Sequence, residues 1–589
     1  MKALHPLFLL LATILFATSS SCAAPSRPLQ YTTTIDYLDY VFYDPIGPKK
    51  YYTLESYERR IRELAEMGFT QINLRTNCMG VGLHPSKLLP RYGEDGRWHY
   101  AERNSSMRLI ETLKHYDPLA ETIRLGHKYG MQVWCWENIC DEGFVWEAGG
   151  FKDPEGQALC RKFGGWPLLD PFLAEHPECW AMLKTKTPEE MKRDLKAAQK
   201  HPVGRMVITA YRTDRPPINF GKEDIEILTS DDNVTYVKYT GPWTFSSGCD
   251  KDGHNFIEIG GLSISARYIK LAPVKGFGPD HAFTLAIKGR DFGRLYNTEG
   301  ELLASNWGCH IPGMNTNQPP KDIEITPDYH ERTVLEFNRV PTMGFDDHDR
   351  QIGCAVGGGV RNVYYKGMVE FCNPVAMQRK LTRFQEYADY PFDGYIFTMN
   401  CHANNSDADE YSYNPAVRER ILKRLGKDIL KDDVPKEELI RERQAGLSEY
   451  IEGCKRKVGA RPVYVEGWGP TWGKGGLFGR DNYGSIMPDY PRLIQNGTVE
   501  GVLMYHDFAD YFTKEVTGGR KVKLGMYYDL NAKYFFAPAG QRNLFPGDFA
   551  AAMDWYVAQG KFDLIDLYET ICLSHNAKMQ ETLKAKIGK

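Results

Sequence analysis

Several things are scarce or missing in this sequence of 589 residues, and each absence narrows the reading. No run of five or more Lys and Arg occurs, and 73 basic against 76 acidic side chains leave a net charge of -3. Such a chain has no field to attract a polyphosphate, so nucleic acid is excluded as an expected partner. Cysteine is sparse at 13 residues, far below the density of a disulfide-stapled scaffold. There is no Cys-x-x-Cys and no His-Glu-x-x-His, so no metal site is expected. Neither a P-loop nor a Gly-x-Gly-x-x-Gly after the first predicted strand is found, and no cofactor is expected. No apolar stretch reaches the ~20 residues of a membrane span.

What is present is a globular composition, 42% apolar and 13% aromatic. The chain opens with Lys2, an apolar run from Leu7 to Ala17, and small residues up to Cys22, Ala23 and Ala24. This is the layout of an export signal over residues 1–24. Two cleavage readings stay open: a cut among the small residues near Ala24, or acylation of Cys22 as the first residue of a lipoprotein, with Ser19 where a lipobox usually has Leu. Either places the mature protein outside the cytoplasm: periplasmic, held at the outer membrane by a lipid at Cys22, or secreted.

Apolar runs that end in polar residues mark eight strands. They are Ile35 to Asp44, Phe69 to Asn77, Met131 to Asn138, Phe392 to Asn400, Arg461 to Trp468, Val499 to Asp507, Lys521 to Asp529 and Lys561 to Glu569. Helices are expected over Leu54 to Met67, Leu119 to Tyr129, Val375 to Tyr390, Pro415 to Lys457 and Gly547 to Gln559. Eight such repeats define the expected fold class: α/β, a (β/α)8 TIM barrel. Its first part is expected over residues 30–195 and its second over 293–589.

Roughly 250 residues separate strands three and four, too many for a simple loop. Short β segments fill part of this span: Arg205 to Tyr211, Asp224 to Thr229, Val234 to Tyr239, Asn255 to Ile259, Ala266 to Leu271 and Ala282 to Lys288. They imply a β-sandwich inserted over residues 200–292. Asp224-Ile-Glu-Ile-Leu-Thr-Ser-Asp-Asp-Asn and Ala266-Arg-Tyr-Ile-Lys-Leu resemble discoidin (factor 5/8 type C) domains, modules that often bind sugars. The resemblance supports the fold more than a ligand.

Polar residues at the C-terminal ends of barrel strands point into one cup, so they are the candidates for chemistry. Here they are Arg75 and Asn77; Trp136 and Glu137; Asn400 and His402; Glu466 and Trp468; His506 and Asp507; Tyr528 and Asp529; and Glu569. Glycosidic hydrolysis needs two carboxyl groups flanking the bond. Sugars also suit aromatic platforms with Asn, His and Arg as hydrogen-bond partners. Glu466, in Val463-Tyr-Val-Glu-Gly-Trp, ends an apolar strand that would raise its pKa, and is the first choice for general acid. Asp507 is the choice for second carboxylate, with Glu137, Asp529 and Glu569 as alternatives. Arg75, Asn77, Trp136, Asn400, His402, Trp468, His506 and Tyr528 are expected to bind substrate.

Leu54 to Asn77, Leu119 to Glu137, Phe172-Leu-Ala-Glu-His-Pro-Glu-Cys-Trp, and Asn373-Pro through Phe392-Asp-Gly-Tyr-Ile resemble bacterial glycoside-hydrolase-like barrel proteins. That resemblance implies a secreted enzyme acting on a poly- or oligosaccharide. Relatives often carry an Asp near the end of strand four, where this chain has Phe397-Thr398-Met399-Asn400. The departure leaves two rivals open: a glycan-binding barrel without catalysis, and a metal-dependent barrel hydrolase, although a His-x-His after strand one is missing.

Overall fold

The computed structural model describes residues 29–44, 51–78, 81–89, 91, 104–140, 142, 170–184, 189, 192, 199–210, 221–231, 237–266, 268–273, 291–306, 340–345, 352–357, 364–399, 411–467, 487–505, 507–529, 546–568, 570–574 and 577–587. The signal segment with Cys22 lies outside these residues, as do Asn400, His402, Trp468, His506 and Glu569.

Eight parallel strands close into a barrel in chain order. They are Gln30–Ile35, Gln71–Arg75, Gln132–Asn138, Gly394–Thr398, Val463–Gly467, Gly501–Met504, Lys523–Asp529 and Leu564–Tyr568. The first pairs with the eighth, Thr32 opposite Asp566 and Thr34 opposite Tyr568, so no edge is left open. One strand departs from expectation. The segment from Ile35 to Asp44 is not strand one: the strand is the Thr-rich Gln30–Ile35, and Tyr37–Tyr43 is a helix. Asp36 makes the switch, since its carboxylate accepts the Leu38 N–H at 3.1 Å and caps the helix. β-branched Thr32, Thr33 and Thr34 suit the pleat despite their polarity.

The outer helices follow from the same local rules. Leu54–Glu66 starts at Thr53, whose hydroxyl accepts the Ser56 N–H at 3.2 Å, and buries Tyr57, Ile61 and Leu64 against the barrel. Pro374–Ala388 starts at Asn373, which accepts from the Val375 N–H at 2.9 Å. The single helical region expected over Pro415 to Lys457 is two helices, Pro415–Leu425 and Lys436–Val458. Gly426 ends the first in the left-handed region, at φ 68°, where other residues are strained.

Side chains alternate between lumen and helix layer along each strand. The lumen holds Trp134, Trp136, Ile396, Tyr464, Leu503, Tyr527, Leu564 and Tyr568. Large rings there are matched by missing side chains: a Cβ on Gly394 would lie 2.5 Å from the Trp134 ring, and one on Gly501 2.7 Å from the Tyr464 ring. Cys135, between the two lumen tryptophans, faces the outer core instead, and both it and Cys140 are free buried thiols.

Between the third and fourth barrel strands the described chain forms antiparallel sheets. One has five strands in the order Thr244–Cys249, Asn255–Gly260, Val203–Ala210, Asp291–Asn297, Leu302–Asn306. Another has three, Tyr268–Pro273, Ile225–Ser230 and Val237–Lys238. Asp291–Asn297 pairs with Val203–Ala210 along its length, so the β-rich region runs past the expected boundary at residue 292. The segment from Ala282 to Lys288 lies outside the described residues. Trp180–Met182 and Tyr364–Val369 pair antiparallel, which brings the start and end of the excursion side by side.

Candidate functional site

Glu466 is the fourth residue of barrel strand five and is fully buried. Its Oε2 accepts from the Trp136 indole N–H at 2.7 Å. Its Oε1 accepts from the Thr398 hydroxyl at 2.9 Å and from the Tyr505 hydroxyl in a very short contact. The two hydroxyls lie 2.8 Å from each other, so they and Oε1 form a closed triangle. Burial pushes the Glu466 carboxyl from an ordinary 4.5 to about 7; the donors Tyr505, Trp136 and Thr398 pull it down, and the charge of Asp566 adds to the rise.

Aromatic rings complete a collar around this carboxyl. Ring centroids of Trp136 and Tyr568 lie 5.9 Å apart, Tyr568 and Tyr527 5.2 Å, and Tyr527 and Tyr505 4.7 Å. Strand alternation makes the collar: residues from strands three, five, seven and eight that face the lumen meet at one level, with Tyr505 just beyond strand six. Arg75 joins from strand two, its guanidinium 5.9 Å from the centre of the Trp136 ring. It is tied down by an ion pair with Asp36 and by donating to the Asn77 carbonyl at 2.9 Å. Asn77 exchanges hydrogen bonds with the Asn138 backbone at 3.1 and 3.2 Å, which binds the ends of strands two and three together.

The other candidates fall elsewhere. Glu137 follows Trp136, so it faces the opposite way, where its Oε1 accepts from Tyr450 at 2.9 Å and lies 3.5 Å from Lys380 Nζ. It belongs to a buried charge cluster with Lys380, Arg383, Glu142 and Asp170 between the barrel and the helix Pro374–Ala388. Tyr528 packs outward against Tyr556, with ring centroids at 6.2 Å. Asp507 lies past the end of strand six, ion-paired with Lys561 and accepting the Ala509 N–H at 3.1 Å. Asp529 is the last residue of strand seven, in register with Tyr568; its side chain lies outside the description.

Sequence reasoning passed over Asp566. This carboxylate sits inside the barrel, fully buried, accepting from Thr32 at 2.8 Å, Thr34 at 2.6 Å and the Asn73 amide at 2.8 Å. Burial pushes it up to about 6 against the pull of those donors. Its signal was a lone carboxylate within Leu564-Ile-Asp-Leu-Tyr, one period from the lumen-facing Tyr568. Among the described residues, no three His, Cys, Asp or Glu side chains gather so as to hold a metal ion.

The site thus combines a buried, easily protonated carboxyl with hydroxyl donors and an aromatic wall, a set suited to moving a proton at the mouth of a barrel. No family model matches the chain, and no curated protein matches it. Two solved structures resemble it distantly. One is the catalytic domain of a beta-amylase from Paenibacillus polymyxa, at 7% identity and TM-score 0.34, covering 95% of this chain and 97% of that one. The other is a GH26-CBM35 beta-(1,4)-mannanase from Podospora anserina, at 10% identity and TM-score 0.18, covering 65% of this chain and 84% of that one. Neither likeness is close enough to bear on the activity of this chain.

Proposed function

We propose that the protein is an exported glycoside hydrolase, acting on a poly- or oligosaccharide, with Glu466 as its general acid. One observation carries this reading: a carboxyl at the C-terminal end of a barrel strand, held near 7 by burial inside a collar of Trp136, Tyr505, Tyr527 and Tyr568. A group that titrates near working pH exchanges a proton with least loss on either side of the reaction. Hydrolysis also requires a second carboxylate. The proposal gives that role to Asp529, at the end of strand seven beside Tyr568, because Asp507 is engaged with Lys561. Asp566 adds its charge to the rise that burial gives Glu466, and it holds strands one, two and eight together.

The β-rich region is proposed as a discoidin-like sandwich, extended beyond residue 292 by Asp291–Asn297 and Leu302–Asn306. Export rests on residues 1–24, and a native N-terminus at Cys22 carrying lipid, or near Ala24, would be seen by mass spectrometry; an intact Met1 on cytosolic protein refutes it. The complete burial of Glu466 also favours a second reading, a non-catalytic glycan-binding barrel in which the carboxyl only braces the collar. A screen of polysaccharides and aryl glycosides separates the two. The hydrolase reading expects turnover that Glu466→Gln lowers by about 10²-fold or more, whereas sugar binding without turnover establishes the second reading.

A further inference from the structure

Glu466 has no exposed surface, and every contact described for its two oxygens is a donor within the collar: Trp136 on one, Thr398 and Tyr505 on the other. Among the described residues, those three groups are the ones through which its proton can leave. Trp136 is 1% exposed and its indole N–H does not exchange a proton on a catalytic timescale, while Thr398 is fully buried. Tyr505 differs: it stands just past the end of strand six, beyond Met504, and is only half-buried. Its hydroxyl touches both Glu466 Oε1 and the Thr398 hydroxyl.

We propose that Tyr505 is a catalytic proton relay, passing the Glu466 proton to the leaving oxygen of the sugar. The inference rests on the hydrolase reading above and adds a residue to it. As the glycosidic C–O bond breaks and its electron pair moves onto the leaving oxygen, the Tyr505 O–H bond breaks and an O–H bond forms on the departing alcohol. At the same time the Glu466 O–H bond breaks and its proton restores the Tyr505 hydroxyl. Glu466 ends ionised, where the Tyr505, Thr398 and Trp136 donors all point at it. Water then forms the new C–O bond at the anomeric carbon and gives a proton to Tyr505 as the Tyr505 proton returns to Glu466, which regenerates the acid. A phenol avoids a free phenolate here because gain and loss of its proton are concerted. Thr398, at the end of strand four, holds Glu466 and Tyr505 in one triangle, as a positioning residue.

The test is the full chain with Tyr505→Phe, which keeps the ring and removes only the oxygen, assayed beside Glu466→Gln on aryl glycosides. Dinitrophenyl leaving groups depart without a proton, and phenyl leaving groups need one. In kcat/KM, which reads the bond-breaking step, the relay expects both variants to lose about 10²-fold or more on phenyl glycosides and little on dinitrophenyl glycosides, with the double variant no worse than either single. It also expects the residual Tyr505→Phe rate to be flat across the pH range in which the wild-type rate falls as Glu466 ionises. A Tyr505→Phe enzyme that keeps this pH limb at reduced amplitude, or that retains wild-type turnover of phenyl glycosides while Glu466→Gln does not, overturns the relay and leaves the hydrolase reading standing. Full activity in Glu466→Gln overturns both.

Discussion

Replacing Glu466 by Gln should make the protein more stable while making it inactive, and the stability gain should depend on pH in one direction. Burial raises the carboxyl from an ordinary 4.5 to about 7, so the fold prefers it protonated. Its stabilising contribution is whole below pH about 4.5 and is lost as pH rises through about 7, at a full cost of about 3 kcal/mol. Gln is the isostere of the protonated form. With its carbonyl toward the Trp136 N–H and its amide toward the Thr398 and Tyr505 hydroxyls, which rotate to accept, all its hydrogen bonds are satisfiable. Glu466→Gln should therefore match wild type at about pH 4 and exceed it by up to about 3 kcal/mol at pH 9. Calorimetric melting of both proteins across that range reads the gap directly. A gap that is constant with pH, or that favours the wild type at alkaline pH, refutes the claim that burial dominates the Glu466 environment.

Three further outcomes are expected. Asp566→Asn removes a negative charge that raises Glu466, so the alkaline fall in kcat/KM should move to lower pH; an unmoved or raised limb rejects the coupling. Lys380→Met leaves Glu142 and Glu137 short of a cation in the buried cluster and should cost about 3 to 5 kcal/mol by denaturant unfolding. A loss below about 1 kcal/mol means Arg383 alone suffices for Glu142. Gly394→Ala drives a methyl into the Trp134 ring and should cost about 1 to 3 kcal/mol in the same assay, and a neutral result shows that the lumen has slack there.

The barrel was legible because most of its strands are apolar on both faces, as Val133-Trp-Cys-Trp shows, and because helices begin at readable caps such as Thr53 and Asn373. Strand one escaped because its pairing residues are Thr32, Thr33 and Thr34, polar in composition yet β-branched, while the apolar run after Asp36 belongs to a helix. Glu466 could be found from its place at a strand end. The assignment of Glu137 ignored strand alternation: once Trp136 faces the lumen, its neighbour cannot. Asp507 could not be judged from sequence, since its partner Lys561 comes from the approach to strand eight. Asp566 was hidden by a rule that looks only at strand ends, although a lone carboxylate within an apolar strand requires buried donors, which Thr32, Thr34 and Asn73 supply. The closing triangle of Glu466, Thr398 and Tyr505 joins three strands and exists only in the folded barrel.

The most direct measurement is the pH dependence of kcat/KM for wild type and Glu466→Gln on one glycoside with a poor leaving group. With Glu466 as the acid, the wild-type profile falls above about 7, and the variant runs lower by about 10²-fold or more, without that limb. A variant that tracks the wild-type profile in height and shape would contradict the assignment of the acid, and with it the collar as the working face of the barrel.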